Sequence, residues 1–100
     1  MKRYEVRFSS SAEADLDSIL LYIAADNPVR AITFVEELRE RTIDFLSVAP
    51  NAATSIGRFK YVVFGRYIVA YTVDDEAAVA RVQLVTEGHR DWHRLLTHLK

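Results

Sequence analysis

The chain has 100 residues, half of them hydrophobic, and its 13 lysines and arginines nearly balance its 14 aspartates and glutamates. This length suits one hydrophobic core and the apolar fraction excludes an intrinsically disordered protein, so we expect a single domain over residues 1–100. The absence of cysteine excludes a disulfide scaffold, a thiolate metal site and a cysteine nucleophile. The charge balance argues against broad nucleic-acid binding but is compatible with a local basic patch.

No segment of the sequence has the pattern of an export signal or a membrane span. Residues 1–6 alternate charged and apolar side chains where a signal peptide would need an apolar run. No stretch approaches the roughly 20 apolar residues of a membrane helix. We therefore expect a cytoplasmic protein without a membrane partner.

The first half of the chain predicts a strand followed by two helices. Apolar and charged side chains alternate over residues 3–8, the period of a strand with one buried face. Ser10 and Glu13 have the spacing of a capping box that begins a helix. Asn27 can cap a second helix, and Pro28 suits its first position. The apolar stripes of the two helices are Ala12, Leu16, Ile19 and Ile23, with Leu20 at the margin, and Ala31, Phe34, Val35, Leu38, Phe45 and Leu46.

The second half predicts a small antiparallel sheet. Pro50 ends the second helix, and the small, polar residues 51–57 predict a loop. The three predicted strands cover residues 58–64, 67–73 and 79–86. Trp92, Leu95, Leu96 and Leu99 predict a short C-terminal helix that docks on the domain. The expected class is α+β: an N-terminal strand, a two-helix hairpin, an antiparallel three-strand meander and a short C-terminal helix, with the helices on one face of the sheet.

Several cationic side chains lie on or beside the predicted strands. Arg58 and Lys60 are two apart in one strand and should point to the same face. Arg66 stands at the next turn, and His89 and Arg90 follow the last strand. If the helices cover one face, these cations can converge on the open one and bind a partner or a phosphate. Alternatively they are ordinary solvated charges, and the sequence leaves both interpretations open.

The histidines are weak candidates for a metal site. His89 and His93 are four residues apart and His98 follows, but no carboxylate is arranged to complete a site. The sequence also lacks a glycine-rich phosphate loop and a nucleophile elbow. We expect neither a metal nor a cofactor.

A series of short motifs resembles the ParE/RelE superfamily of type II toxins over nearly the whole chain. The motifs are Tyr4-Glu5-Val6-Arg7-Phe8-Ser9, Ala14-Asp15-Leu16…Ile19…Tyr22-Ile23, Asn27-Pro28, Pro50 and Gly88-His89-Arg90-Asp91. The resemblance implies that the first strand joins the meander at an edge of the sheet, which periodicity alone does not give.

The RelE branch of this superfamily implies a metal-independent endoribonuclease that cleaves messenger RNA on the ribosome. The catalytic candidates under that interpretation are Lys60, Arg66, His89 and Arg90. The set is incomplete, because Ile68 stands where the branch has an arginine and Leu96 stands at the approximate position of its C-terminal tyrosine.

The ParE branch fits better and implies a plasmid-stabilisation toxin that binds and inhibits DNA gyrase without catalytic residues. Its partner would be a cognate antitoxin, a small DNA-binding protein with an amphipathic tail, in a hetero-oligomer. A third hypothesis is a toxin-fold protein that only binds its partner. We therefore favour a binding protein over an enzyme.

The outer face of the first helix is a candidate partner surface. On a helical wheel Leu21 lies opposite the predicted buried stripe with Ala14 and Ala25, and Tyr22 lies at the edge of this strip. A partner helix could rest on such a strip. The full set of partner-binding candidates is Ala14, Leu21, Tyr22, Ala25, Arg58, Lys60, Arg66 and Arg90.

Overall fold

A computed structural model describes residues 2–88 and 91–97 of the chain. The elements in these ranges are β1 (Glu5–Phe8), α1 (Ser10–Ala24), α2 (Pro28–Val48), a 3-10 turn (Pro50–Ala52), β2 (Thr54–Ile56), β3 (Phe59–Phe64), β4 (Tyr67–Asp74), β5 (Val79–Glu87) and α3 (Trp92–Thr97). None of the helices in these ranges is long and apolar enough to cross a membrane.

The strands form one mixed sheet in the order β1-β5-β4-β3-β2. Strands β2 to β5 are antiparallel neighbours, whereas β1 runs parallel to β5, with Glu5 opposite Val79. The α1–α2 hairpin carries the chain from β1 at one edge of the sheet to β2 at the other, and the meander returns to β1. The predicted α+β class and the edge position of the first strand are confirmed.

The predicted loop over residues 51–57 is wrong in part, because it contains the 3-10 turn and β2. Strand β2 pairs antiparallel with β3 through a tight turn in which Gly57 has a φ of 59°. Strand β2 is only three residues long, which is too short for a period-two pattern to show in the sequence, although Thr54 and Ile56 are β-branched. The same turn contains Arg58, so β3 begins at Phe59 rather than at Arg58.

Both long helices begin at side-chain caps. The Oγ of Ser9 accepts a hydrogen bond from the Ala12 N–H at 3.0 Å, so Ser9, not Ser10, caps α1. The predicted capping box is wrong, because the Glu13 carboxylate turns instead to α2. For α2 the prediction is confirmed: Asn27 Oδ1 accepts from the N–H of residue 30 at 3.0 Å, and Pro28 opens the helix.

Helices α1 and α2 pack on one face of the sheet. Their apolar stripes meet the inward side chains of β4 and β5 in a cluster whose buried members are Ala12, Leu16, Leu38, Leu46, Tyr67, Val69, Tyr71, Ala80, Val82 and Val85. The Asp15 carboxylate accepts a hydrogen bond from the Val85 N–H at 2.9 Å, which fixes α1 to β5 beyond the end of β1. This packing leaves the opposite faces of both helices toward solvent.

The second sheet face is partly covered, which corrects the expectation that all helices lie on one face. Helix α3 docks there through a second cluster: Phe59, Ile68, Ala70, Leu84, Trp92 and Leu96. The rings of Tyr61 and Trp92 lie 4.6 Å apart between their centroids. A helical stripe predicts that α3 docks but not on which face, because either face of a sheet can offer apolar side chains. Leu99 lies outside the described residues.

Candidate functional site

The predicted strip on α1 lies at the surface. Leu21 and Tyr22 are 71% and 73% exposed, and Ala14 and Ala25 are exposed as well. The wheel argument therefore gives their exposure correctly, because the stripe containing Leu16 faces the sheet. Their role in binding stays a prediction.

The exposed apolar surface continues onto α2, which the sequence analysis missed. Val29 is 76% exposed and Ile32 is 56% exposed. Only residues 25–27 separate the two antiparallel helices, so the first turns of α2 lie beside the last turns of α1. Both side chains fall off the buried stripe of α2, and the same wheel argument could have found them. We call Leu21, Ala25, Val29 and Ile32 the hairpin patch.

Exposed carboxylates lie in the turn next to the hairpin patch and farther along α2. Asp26, Glu36 and Glu40 are exposed, and none forms an ion pair with a described residue. Residues 10–48 contain eight of the 14 carboxylates but only three of the 13 lysines and arginines, which gives this segment a formal charge of −5 and the rest of the chain +4. The near-zero net charge of the chain thus conceals two regions of opposite sign.

The predicted convergence of cations on an open sheet face is wrong for the described residues. Lys60 points to the helix side of the sheet, opposite Tyr71, and its Nζ donates to Ser55 Oγ at 2.9 Å. Arg58 lies in the turn before β3, where its guanidinium stands 4.7 Å from the centre of the Phe59 ring. Side chains two residues apart share a face only within one strand. Arg58 lies outside β3, so it does not share a face with Lys60.

Arg66 lies at the far end of the β3–β4 hairpin from Lys60. The register pairs Lys60 with Tyr71 but Phe64 with Tyr67, which separates Lys60 from this turn by four residues or about 13 Å. The Arg66 side chain is exposed, and its Nη2 lies 3.8 Å from Glu87 Oε2. It borders a small cavity of about 170 Å³ between α2 and the turn; the residues lining it are Phe34, Glu37, Leu38, Arg41, Phe64, Gly65, Arg66 and Tyr67.

The other nuclease candidates do not complete a site among the described residues. His89 and Arg90 lie outside the described ranges. Ile68 and Leu96, at the two positions where the RelE pattern has an arginine and a tyrosine, are buried together in the cluster under α3. His93 is exposed and stacks on Trp92, and residues 2–88 and 91–97 contain no group of side chains that could hold a metal ion.

Comparison with known proteins identifies the family. The sequence profile of the ParE toxin of type II toxin–antitoxin systems matches residues 6–92. No curated protein sequence matches the chain at a significant level.

Solved structures share the fold at low sequence identity. A chain of the chromosomal ParDE system from P. aeruginosa is 15% identical with a TM-score of 0.74, and the match covers 85% of this chain and 96% of that one. A chain of the RelBE2 toxin–antitoxin complex from Mycobacterium tuberculosis is 22% identical with a TM-score of 0.69, covering 90% and 97%. A chain of the E. coli RelBE complex is 18% identical with a TM-score of 0.57, covering 87% and 99%. With most of its length matched by the family profile, the chain belongs to the ParE toxin family of type II toxin–antitoxin systems.

Proposed function

We propose that this toxin acts as ParE-like proteins do, by binding and inhibiting DNA gyrase, and that a cognate antitoxin neutralises it in the cytoplasm. The observation that carries the choice over a ribosome-dependent nuclease is the pair Ile68 and Leu96. Both are buried in the apolar cluster under α3, where the nuclease pattern would need a guanidinium and a phenol.

Phosphodiester cleavage without a metal needs cations fixed around the phosphate and a group that accepts the 2′-hydroxyl proton. An arginine at position 68 would place a charge among Trp92, Leu84 and Ala70, at the cost of desolvating it. The remaining described candidates, Lys60 and Arg66, stand at opposite ends of β3. This arrangement supports a protein that acts by binding.

Neutralisation requires a toxin surface that the antitoxin covers. Several of the similar solved structures are toxin–antitoxin systems by name, which supports an antitoxin partner and a hetero-oligomer. The exposed outer face of α1, with Ala14, Leu21, Tyr22 and Ala25, is the proposed site for the amphipathic tail of that antitoxin. Of the predicted partner-binding cations Arg58, Lys60, Arg66 and Arg90, the exposed Arg66 is the proposed contact to the target.

Purified toxin tests this proposal in two parallel reactions. In a gyrase supercoiling assay we expect inhibition that equimolar antitoxin relieves. In a reconstituted translation reaction we expect full-length messages to remain intact. Codon-specific message cleavage with unaffected supercoiling would instead assign the RelE-type activity. If neither reaction changes while the antitoxin still binds, the protein is a binding partner that has lost toxicity.

A further inference from the structure

We propose that the hairpin patch receives an amphipathic helix whose apolar seam is flanked by lysine or arginine. This inference rests on the proposed antitoxin binding and specifies the chemistry of the segment that docks. It combines an exposed apolar surface, a surrounding charge of one sign and the spacing of two antiparallel helices.

Exposed hydrophobic side chains are concentrated where the end of α1 meets the start of α2. Among the described residues seven large hydrophobic side chains are exposed, and three of them, Leu21, Val29 and Ile32, belong to the hairpin patch. Tyr22 is exposed as well but borders a different hollow, beside Tyr67 and Val85. A single exposed leucine needs no explanation, but a contiguous strip on two adjacent helices is typical of a contact surface. The core does not use these side chains, because the inner stripes of both helices build it.

The charge around the patch is negative because the three arginines of the hairpin point elsewhere. Arg30 binds Glu37 at 3.2 Å, Arg39 binds Glu13 at 2.6 Å, and Arg41 stands over the Phe64 ring at 4.8 Å. Asp26, Glu36 and Glu40 consequently remain around the patch without a cation among the described residues. A basic partner would supply the missing charge, whereas a nucleic acid or an acidic tail would be repelled.

A helix is the shape that fits this surface. Packed helices leave a groove about 8–10 Å wide between their axes, into which the side chains of a third helix can interdigitate. From Val29 to Glu40 the exposed side of α2 spans eleven residue steps, or about 17 Å. A partner helix of about three turns spans that length with anchors at positions i, i+3 or i+4, and i+7. Hairpin-to-hairpin pairing with a second copy of this chain is disfavoured, because it would bring carboxylates against carboxylates.

Two synthetic helical peptides test the charge. Both carry the same leucine seam over 18 residues, and the flanking positions are all lysine in one and all glutamate in the other. We expect the lysine peptide to bind the full-length toxin at least tenfold more tightly by calorimetry. Its affinity should fall as salt is raised from about 50 to 300 mM, since surface charge pairs are screened. Equal affinities for the two peptides would overturn the proposal.

Variants locate the site. Leu21→Ser with Ile32→Ser should weaken the lysine peptide tenfold or more, and Glu36→Lys with Glu40→Lys should remove its preference over the glutamate peptide. The matched controls are Val63→Ser, an exposed apolar residue on β3, and Glu76→Lys, an exposed carboxylate in the β4–β5 turn; both should bind as the wild type does. Unchanged binding in the patch variants, or a toxin dimer that only these variants abolish, would contradict the inference.

The supercoiling assay separates this inference from the proposed function. The patch variants should still inhibit gyrase, because the patch is assigned to the antitoxin. If the wild type inhibits gyrase but does not discriminate between the peptides, only the inference fails. If the wild type does not inhibit gyrase yet the peptides behave as expected, only the proposed target is wrong.

Discussion

Tyr71 joins the centre of the sheet to the chain segment that follows α2. Its side chain is fully buried in the cluster under α1 and α2. The hydroxyl donates a hydrogen bond of 2.6 Å to the main-chain carbonyl of Pro50, which is also buried. Tyr71→Phe keeps the ring and its packing but removes this donor.

The expected loss of stability follows from the carbonyl that is left behind. An unsatisfied buried acceptor costs about 1–3 kcal/mol, because the group stays desolvated without a partner. In a domain of this size about 2 kcal/mol corresponds to a fall in Tm of about 8–16 °C. Urea and thermal unfolding of the two proteins measure the difference. Tyr22→Phe, at an exposed position of α1, is the matched control and should stay within about 0.5 kcal/mol.

Burial of the same side chain predicts a specific response to alkali. Burial raises the pKa of the Tyr71 phenol from 10.0 to about 12. A raised folded-state pKa contributes stability that is present below the unfolded pKa and is lost as pH rises through the folded one. The wild type should therefore lose stability between about pH 10 and 12 more steeply than Tyr71→Phe, so that the difference between them shrinks. A variant as stable as the wild type at pH 7 would refute the role of this hydrogen bond, and a parallel pH profile would refute the raised pKa.

Two further substitutions test the packing of α1 on α2 and the proposed contact of Arg66 with gyrase. Arg39→Ala should lower the free energy of unfolding by about 1 kcal/mol at pH 7, because it removes both a half-exposed bidentate pair to Glu13 and a contact over the Phe8 ring. The hydrogen bond from Arg39 lowers the pKa of Glu13 below 4.5, so urea unfolding should show this difference disappearing as pH falls through that lowered pKa. Arg66→Ala should change stability by less than about 0.5 kcal/mol but weaken gyrase inhibition in the supercoiling assay. Full inhibition by that variant would show that Arg66 does not contact gyrase.

The elements that the sequence predicts well are those in which local chemistry and burial agree. Alternation in β1 and the stripes of α1 and α2 each describe one buried face, and the Asn27-Pro28 pair is a local signal for a helix start. The strand β2 was missed for the opposite reason. It has only three residues, so no alternation can be recognised, and its pairing with β3 across the Gly57 turn is what defines it as a strand.

The predictions for the candidate site succeeded or failed for the same reason. Exposure of Leu21 follows from the geometry of one helix, so a wheel can predict it. Convergence of Lys60 and Arg66 depends on strand register and on the direction in which each side chain leaves the sheet. A change of one residue at the start of β3 is enough to remove Arg58 from the strand, and no periodicity argument has that precision.

The opposite charges of the hairpin and the rest of the chain bear on how neutralisation would work. A basic helix on the hairpin patch would leave the cationic residues of the remaining surface open. If those cations contact the target, an antitoxin that binds the patch must also extend past the hairpin to block them. The patch would then supply affinity and orientation, while the extension would prevent target binding. Because the patch shares no side chain with the buried clusters, substitutions on it can change the partner without changing the fold.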